Sequence, residues 1–216
     1  IPYGVNMPLW SDGLEKERHI ALPAGTTLGY RGDGPWAFPV DTVMIKTFYV
    51  PLADGGRRRI ETRLIRKGQD QWNGFSYRWN AEQTDAELLT TGKREIIEGA
   101  EGPIDWLYPS RAQRDHCHLE RQRYALGLST RQLNGDFAYG ETTANQLAAL
   151  AAAGYVQLPA VAAQLSAHPP LHDREANLEA RARALLHVNC AMCHSPDGPA
   201  DAEIDLRVQT IFGDMG

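Results

Sequence analysis

Cysteine is scarce, with three in 216 residues, too few to staple a fold of this size. None is needed, because a chain this long at 43% hydrophobic content can build its core from apolar burial alone. Long apolar runs are missing as well. The longest candidate, Leu147–Ala153, is a short Ala-rich helix face, well below the length of a bilayer span. There is no basic surplus: the formal charge is -5, and the densest basic stretch is Arg57-Arg58-Arg59. Nucleic acid is therefore not an expected partner. Repeats, low-complexity tracts and the signatures of glycosidases or phosphate loops do not stand out. The chain begins at Ile1 without a signal peptide, so the expectation is a processed protein or a piece of a longer one.

The tryptophans are placed unevenly. All five lie at or before Trp106, whereas the Ala-rich segments and every Cys follow Ser110. This shift predicts two domains, 1–110 and 111–216, the second open to continuation past Gly216. In the first, strand signals cover Arg18–Leu22, Thr26–Tyr30, Thr42–Val50, Arg58–Arg66, Phe75–Trp79 and Lys93–Glu98. Turn chemistry separates them at Ser11-Asp12-Gly13, Pro23-Ala24-Gly25, Gly32-Asp33-Gly34-Pro35, Asp54-Gly55-Gly56 and Asn73-Gly74. Within Arg58–Arg66, polar residues alternate with Ile60, Thr62 and Leu64, which predicts a strand with one polar face. Beyond Ser110 the period turns helical. Thr143 with Gln146 reads as a capping box, Leu147 and Leu150 as an apolar stripe, and Gly154 as a helix stop. Asn177 is placed to cap a second helix carrying Leu178, Leu185 and Leu186 into Cys190. The expected class is α+β: an antiparallel β-sandwich-like N-terminal domain followed by an α-helical domain.

That last helix runs into Cys190-Ala191-Met192-Cys193-His194, the most specific pattern in the chain. Cys-x-x-Cys-His is the haem-attachment spacing: each thiol adds to one of two vinyl groups along a haem edge, and the adjoining imidazole ligates the iron. The competing reading is zinc, with Cys117, Cys190, Cys193 and a His such as His118 forming a Cys₃His site in an interaction module. The span from Cys117 to Cys190 is longer than compact zinc modules use, and a His directly after the second Cys favours haem. Met215, His168, His172 and His187 are the nearest candidates for a further iron ligand; His187, two turns before His194 on the same helix, is placed to orient a neighbour or serve another haem rather than reach the far face of this one, and each is also an ordinary packed or solvated side chain. In the first domain, Trp72, Phe75, Tyr77 and Trp79 read first as core and cross-strand pairs, and Arg57–Arg59 as a solvated turn able to attract an acidic partner. Ser11 and Asp12 read as a turn rather than as catalytic residues.

Several stretches together resemble a family of exported bacterial haem-c proteins in which a β-rich N-terminal region precedes a helical, cytochrome c-like part. They are Asn6–Gly13, Phe38–Phe48, Arg58–Arg63, Tyr77–Asn80, Tyr108–Gln113 and Leu128–Asn134, in that order along most of the chain. The resemblance implies a periplasmic or extracellular electron-transfer cytochrome with a redox partner protein, commonly carrying two haems, the second attached after the Arg-Ala-Gln stretch. This chain departs from that pattern where a thiol would be needed: Arg114 stands there, followed by Asp115-His116-Cys117-His118. A haem held by one thioether through Cys117 with His118 on iron, a non-covalent haem and a lost site all remain open. A haem enzyme with an open coordination position, acting on a small molecule such as peroxide, is the catalytic alternative.

Overall fold

The computed structural model describes residues 1–115, 127–196, 198–201 and 204–216. About 33% of the chain is strand and 16% helix, a mixed α and β architecture whose sheets are antiparallel. The residues group into two compact units that are not two consecutive stretches. Unit 1 holds Ile1–Tyr3, Ser11–Leu28 and the described part of Phe38–His118. Unit 2 holds Gly4–Trp10, Gly29–Ala37 and the described part of Leu119–Gly216.

Unit 1 is built on a five-stranded meander of β1 (Glu15–Ala21), β2 (Val43–Pro51), β3 (Arg57–Lys67), β4 (Trp72–Trp79) and β5 (Ala86–Leu89), paired in sequence order. Gly55, at φ +83°, closes the turn from β2 to β3, where the amide of Gly56 donates to Asp54 Oδ1 at 2.8 Å. A hairpin of β6 (Lys93–Gly99) and β7 (Gly102–Tyr108) follows, then the short α1 (Arg111–Asp115). Phe48, Val50 and Ile60 from the sheet share a core with Leu14, Ile97, Trp106 and Tyr108, and the Phe48 and Trp106 rings lie 5.1 Å apart. The hairpin therefore packs on one face of the sheet.

Three local expectations need correcting here. Asn73-Gly74 lies inside β4, opposite Arg66 and Ile65, and the turn falls earlier, where Gly68 donates to the Gln71 carbonyl at 2.7 Å. Thr26–Tyr30 is not a strand: the chain there is marked by isolated bridges, among them Gly29 to Ala37. The polar face of β3 fails at Glu61, which is fully buried beside buried Ile60. A register shift opposite Phe48 and Tyr49 turns both residues inward, and Glu61 is satisfied by Arg63 through two bonds of 2.8 Å and by the Trp106 indole N–H at 3.1 Å.

Unit 2 contains α2 (Thr130–Leu133), a hairpin of β8 (Asp136–Tyr139) and β9 (Thr142–Asn145), α3 (Gln146–Ala152) and α4 (Leu178–Asn189). Single 3₁₀ turns lie at Ala162–Gln164 and Phe212–Asp214. Asn145, not Thr143, caps α3 by accepting from the Ala148 amide, because β9 runs through Thr143 to Asn145 and the helix starts only at Gln146. Gly154, at φ +77°, ends that helix as its position predicts, and Leu147 and Leu150 are buried beneath it. Two of the resembling stretches meet within this unit. The Gln132 side chain accepts from the Met7 amide at 2.9 Å and donates to the Met7 carbonyl at 2.7 Å, while Asn6 donates to the carbonyls of Arg131 and Asn134. Trp36, fully buried, donates from its indole to Thr130 Oγ1 at 3.3 Å.

Candidate cofactor site at the end of the long helix

The site begins with the cap that starts α4. Asn177 accepts from the Ala180 amide at 3.1 Å, and after the twelve residues of α4 Cys190 closes the helix by donating to the Leu186 carbonyl at 2.9 Å. The chain then turns tightly on Cys190, whose carbonyl accepts from the amides of Cys193 at 3.0 Å and His194 at 2.9 Å. Both thiols and the imidazole therefore belong to one turn. Cys190 and Cys193 are free and half-buried, and Ala191 between them is buried. The Nδ1 of His194 is buried and has no hydrogen-bond partner among the described residues.

A loop is fastened along this turn and helix. Leu206 donates to the His194 carbonyl at 3.0 Å, and Asp205 donates to the Met215 carbonyl at 2.9 Å, so one short segment bridges the backbones of His194 and Met215. Arg183 of α4 donates to the carbonyls of Val208 and Thr210, and Val208 donates to His187 Nδ1 at 3.3 Å. Within the loop, Arg207 and the Thr210 hydroxyl grip the Asp205 carboxylate. The Arg207 hydrogen bond, and then that of Thr210, hold this carboxyl well below the usual range. Gly198 has to be glycine, because a Cβ there would collide with the carbonyls of Cys193 and Ser195.

His168 is 1% exposed, and neither ring nitrogen has a partner among the described residues. Its ring lies 5.4 Å from that of His187. Burial first, then the charges of His187 and Arg131, pushes it down to about 3; burial likewise lowers His187. His172 is exposed. The leucines that α4 carries, Leu178, Leu185 and Leu186, are exposed, as are Ile204 and Ile211 near the loop. Ala184 is the residue that α4 buries.

Cys117 and His118, the candidates for a second haem or for a Cys₃His zinc site, lie outside the described residues, as does His116. Among the described residues no three His, Cys, Asp or Glu side chains converge as a metal site, and no helix is long and apolar enough to cross a membrane.

In unit 1, Asp12 and Gly13 form the turn expected of Ser11-Asp12-Gly13, with Leu14 donating to the Ser11 carbonyl. Of the three arginines at the start of β3, Arg57 pairs with Glu17, Arg59 stacks on Trp79 at 3.8 Å, and Arg58 has no side-chain partner among the described residues. An open groove of about 350 Å³, not anticipated from sequence, is lined by Arg58, Arg59, Arg78, Trp79 and Tyr108 among others. Trp72 packs edge-on against Phe38 at 5.4 Å, while Phe75 is exposed. Comparison with protein-family models, curated proteins and solved structures gives no significant match.

Proposed function

We propose that this chain is an exported electron-transfer cytochrome that binds haem covalently through Cys190 and Cys193, with His194 as the proximal ligand. The observation that carries the reading is the single turn after α4, which holds two free thiols and an imidazole in the attachment spacing. Two further observations fit these residues to a haem. The buried Nδ1 of His194 lacks a protein partner among the described residues, which suits an imidazole awaiting orientation by a cofactor and its surroundings. Leu185 and Leu186, exposed just before Cys190, offer the apolar wall that a macrocycle would cover.

A haem held there supplies one-electron chemistry at its iron. The chain's own contribution is tethering by two thioethers, ligation by His194 and exclusion of water by the α4 leucines. Met215 is the favoured sixth ligand, since its backbone is bridged to that of His194 through Asp205 and Leu206. On this reading unit 2 is a compact cytochrome c-like domain and unit 1 a sandwich-like module, in a protein working in the periplasm or outside the cell with a redox partner protein. Cys117 and His118 are proposed to hold a second haem. A haemochrome assay on protein matured with haem-attachment machinery tests both sites: two haems per chain support the second site, one restricts the protein to Cys190 and Cys193, and none defeats the reading.

A further inference from the structure

The sheet of unit 1 carries an arrangement of charge that packing does not explain. Arg18 of β1 lies directly opposite Lys46 of β2, and Lys46 directly opposite Arg63 of β3. Directly opposed residues share a face, with neighbouring strands about 4.8 Å apart, so three cations stand in one row across three strands. Lys16 stands two residues along β1 on the same face, next to the Phe48 and Glu61 row. Like charges directly opposite one another destabilise a sheet, and this chain is acidic overall.

The available acids do not neutralise the row. Glu61 is taken by both arms of Arg63 and by the Trp106 N–H. Asp12 acts on Lys16. Among the described residues, the side chains of Arg18 and Lys46 form neither an ion pair nor a hydrogen bond; Lys46 lies 5.3 Å above the Phe48 ring. Burial, then the charges of Arg63, Arg18 and Lys16, pushes Lys46 down to about 7, and burial followed by Arg18 and Arg63 pushes Lys16 down to about 8. The row continues into β4 at Ser76, a buried hydroxyl opposite Arg63.

The geometry points to a binding site for a small multivalent oxyanion, carboxylate or phosphate, held against Arg18 and Lys46 with Arg63 beside them. Such a ligand would give Arg18, and Lys46 in its protonated form, charge-assisted hydrogen bonds and replace like-charge repulsion with attraction. Arg18 presents a planar fork suited to a carboxylate or phosphate edge, and Lys46 a point charge beside it. The Phe48 ring, under Lys46 at 5.3 Å and under Arg63 at 4.5 Å, supplies an apolar floor. This site is independent of the haem reading, because it uses none of the same residues.

The test is calorimetric titration of the full chain with succinate and, separately, with inorganic phosphate, against sodium chloride at equal ionic strength. Saturable one-to-one binding of either probe supports the site, and the arm that binds identifies the oxyanion. Lys46→Met, which keeps an unbranched side chain over Phe48, and Arg18→Gln are each expected to weaken binding about ten-fold or more. Arg18→Lys should retain part of it. Binding no stronger than the chloride control for both probes, or binding undiminished in a folded Lys46→Met, overturns the inference.

Discussion

His168 keeps an imidazole in a place where a proton is strongly disfavoured. Between its ordinary value of 6.5 and about 3, the unfolded chain binds a proton that the folded chain refuses. The contribution of His168 to stability is therefore complete above pH 6.5 and falls as the pH drops through that window, by up to about 1.4 kcal/mol per pH unit. Urea midpoints measured from pH 7 to pH 4 should decline in the native chain, and His168→Leu should flatten that decline by about one proton; equal slopes would contradict the assignment. Asp205 titrates lower. Its carboxyl is depressed by Arg207 and Thr210, so its stabilisation is present above the unfolded value of 3.8 and lost as pH falls below it. Thermal melts of Asp205→Asn should differ from the native chain at pH 6 and converge with it as pH falls below 3.8. Neither group was singled out by sequence for this behaviour. His168 was one of two histidines flanking Pro169 and Pro170, and nothing local announces that its ring is buried without a hydrogen-bond partner among the described residues.

The α4 cap at Asn177 and the Gly154 stop were legible because capping chemistry is local. Asn177→Ala should cost about 1 kcal/mol, read as a lower melting temperature with the fold retained. Errors arose where tertiary pairing decides. Thr143 and Asn145 both precede Gln146 with capping side chains, and only the extent of the pairing with β8, which keeps the chain extended as far as Asn145, makes Asn145 the cap. In β3 the alternation predicted an exposed Glu61, and the shift opposite Phe48 and Tyr49 is not written in β3 itself. Glu61→Gln is expected to destabilise the sheet by about 3 kcal/mol, since Arg63 loses its counter-charge next to Lys46. Chemical denaturation checks this, and a loss below about 1 kcal/mol would mean that the pair is not effectively buried.

Across the molecule, a composition shift marks two halves, but composition carries no information about contacts 125 residues apart. Asn6 and Met7 hydrogen-bond to Arg131, Gln132 and Asn134, and Trp36 bonds to Thr130, so unit 2 draws on two early segments. Residues 111–216 expressed alone should therefore melt without cooperativity, followed by circular dichroism, whereas a sharp transition would show that the early segments are dispensable. The turn that gathers Cys190, Cys193 and His194 was legible because the three are close in sequence, while the loop clamped along α4 by Arg183 and His187 was not. The most direct test of the whole account is the absorption spectrum of the mature protein, before and after acid-acetone extraction, beside Cys190→Ala/Cys193→Ala. The account predicts a haem spectrum whose colour stays on the polypeptide and is lost from the Cys190/Cys193 site in the double variant. A colourless protein, or pigment that leaves with the solvent while both thiols remain open to alkylation, would contradict it.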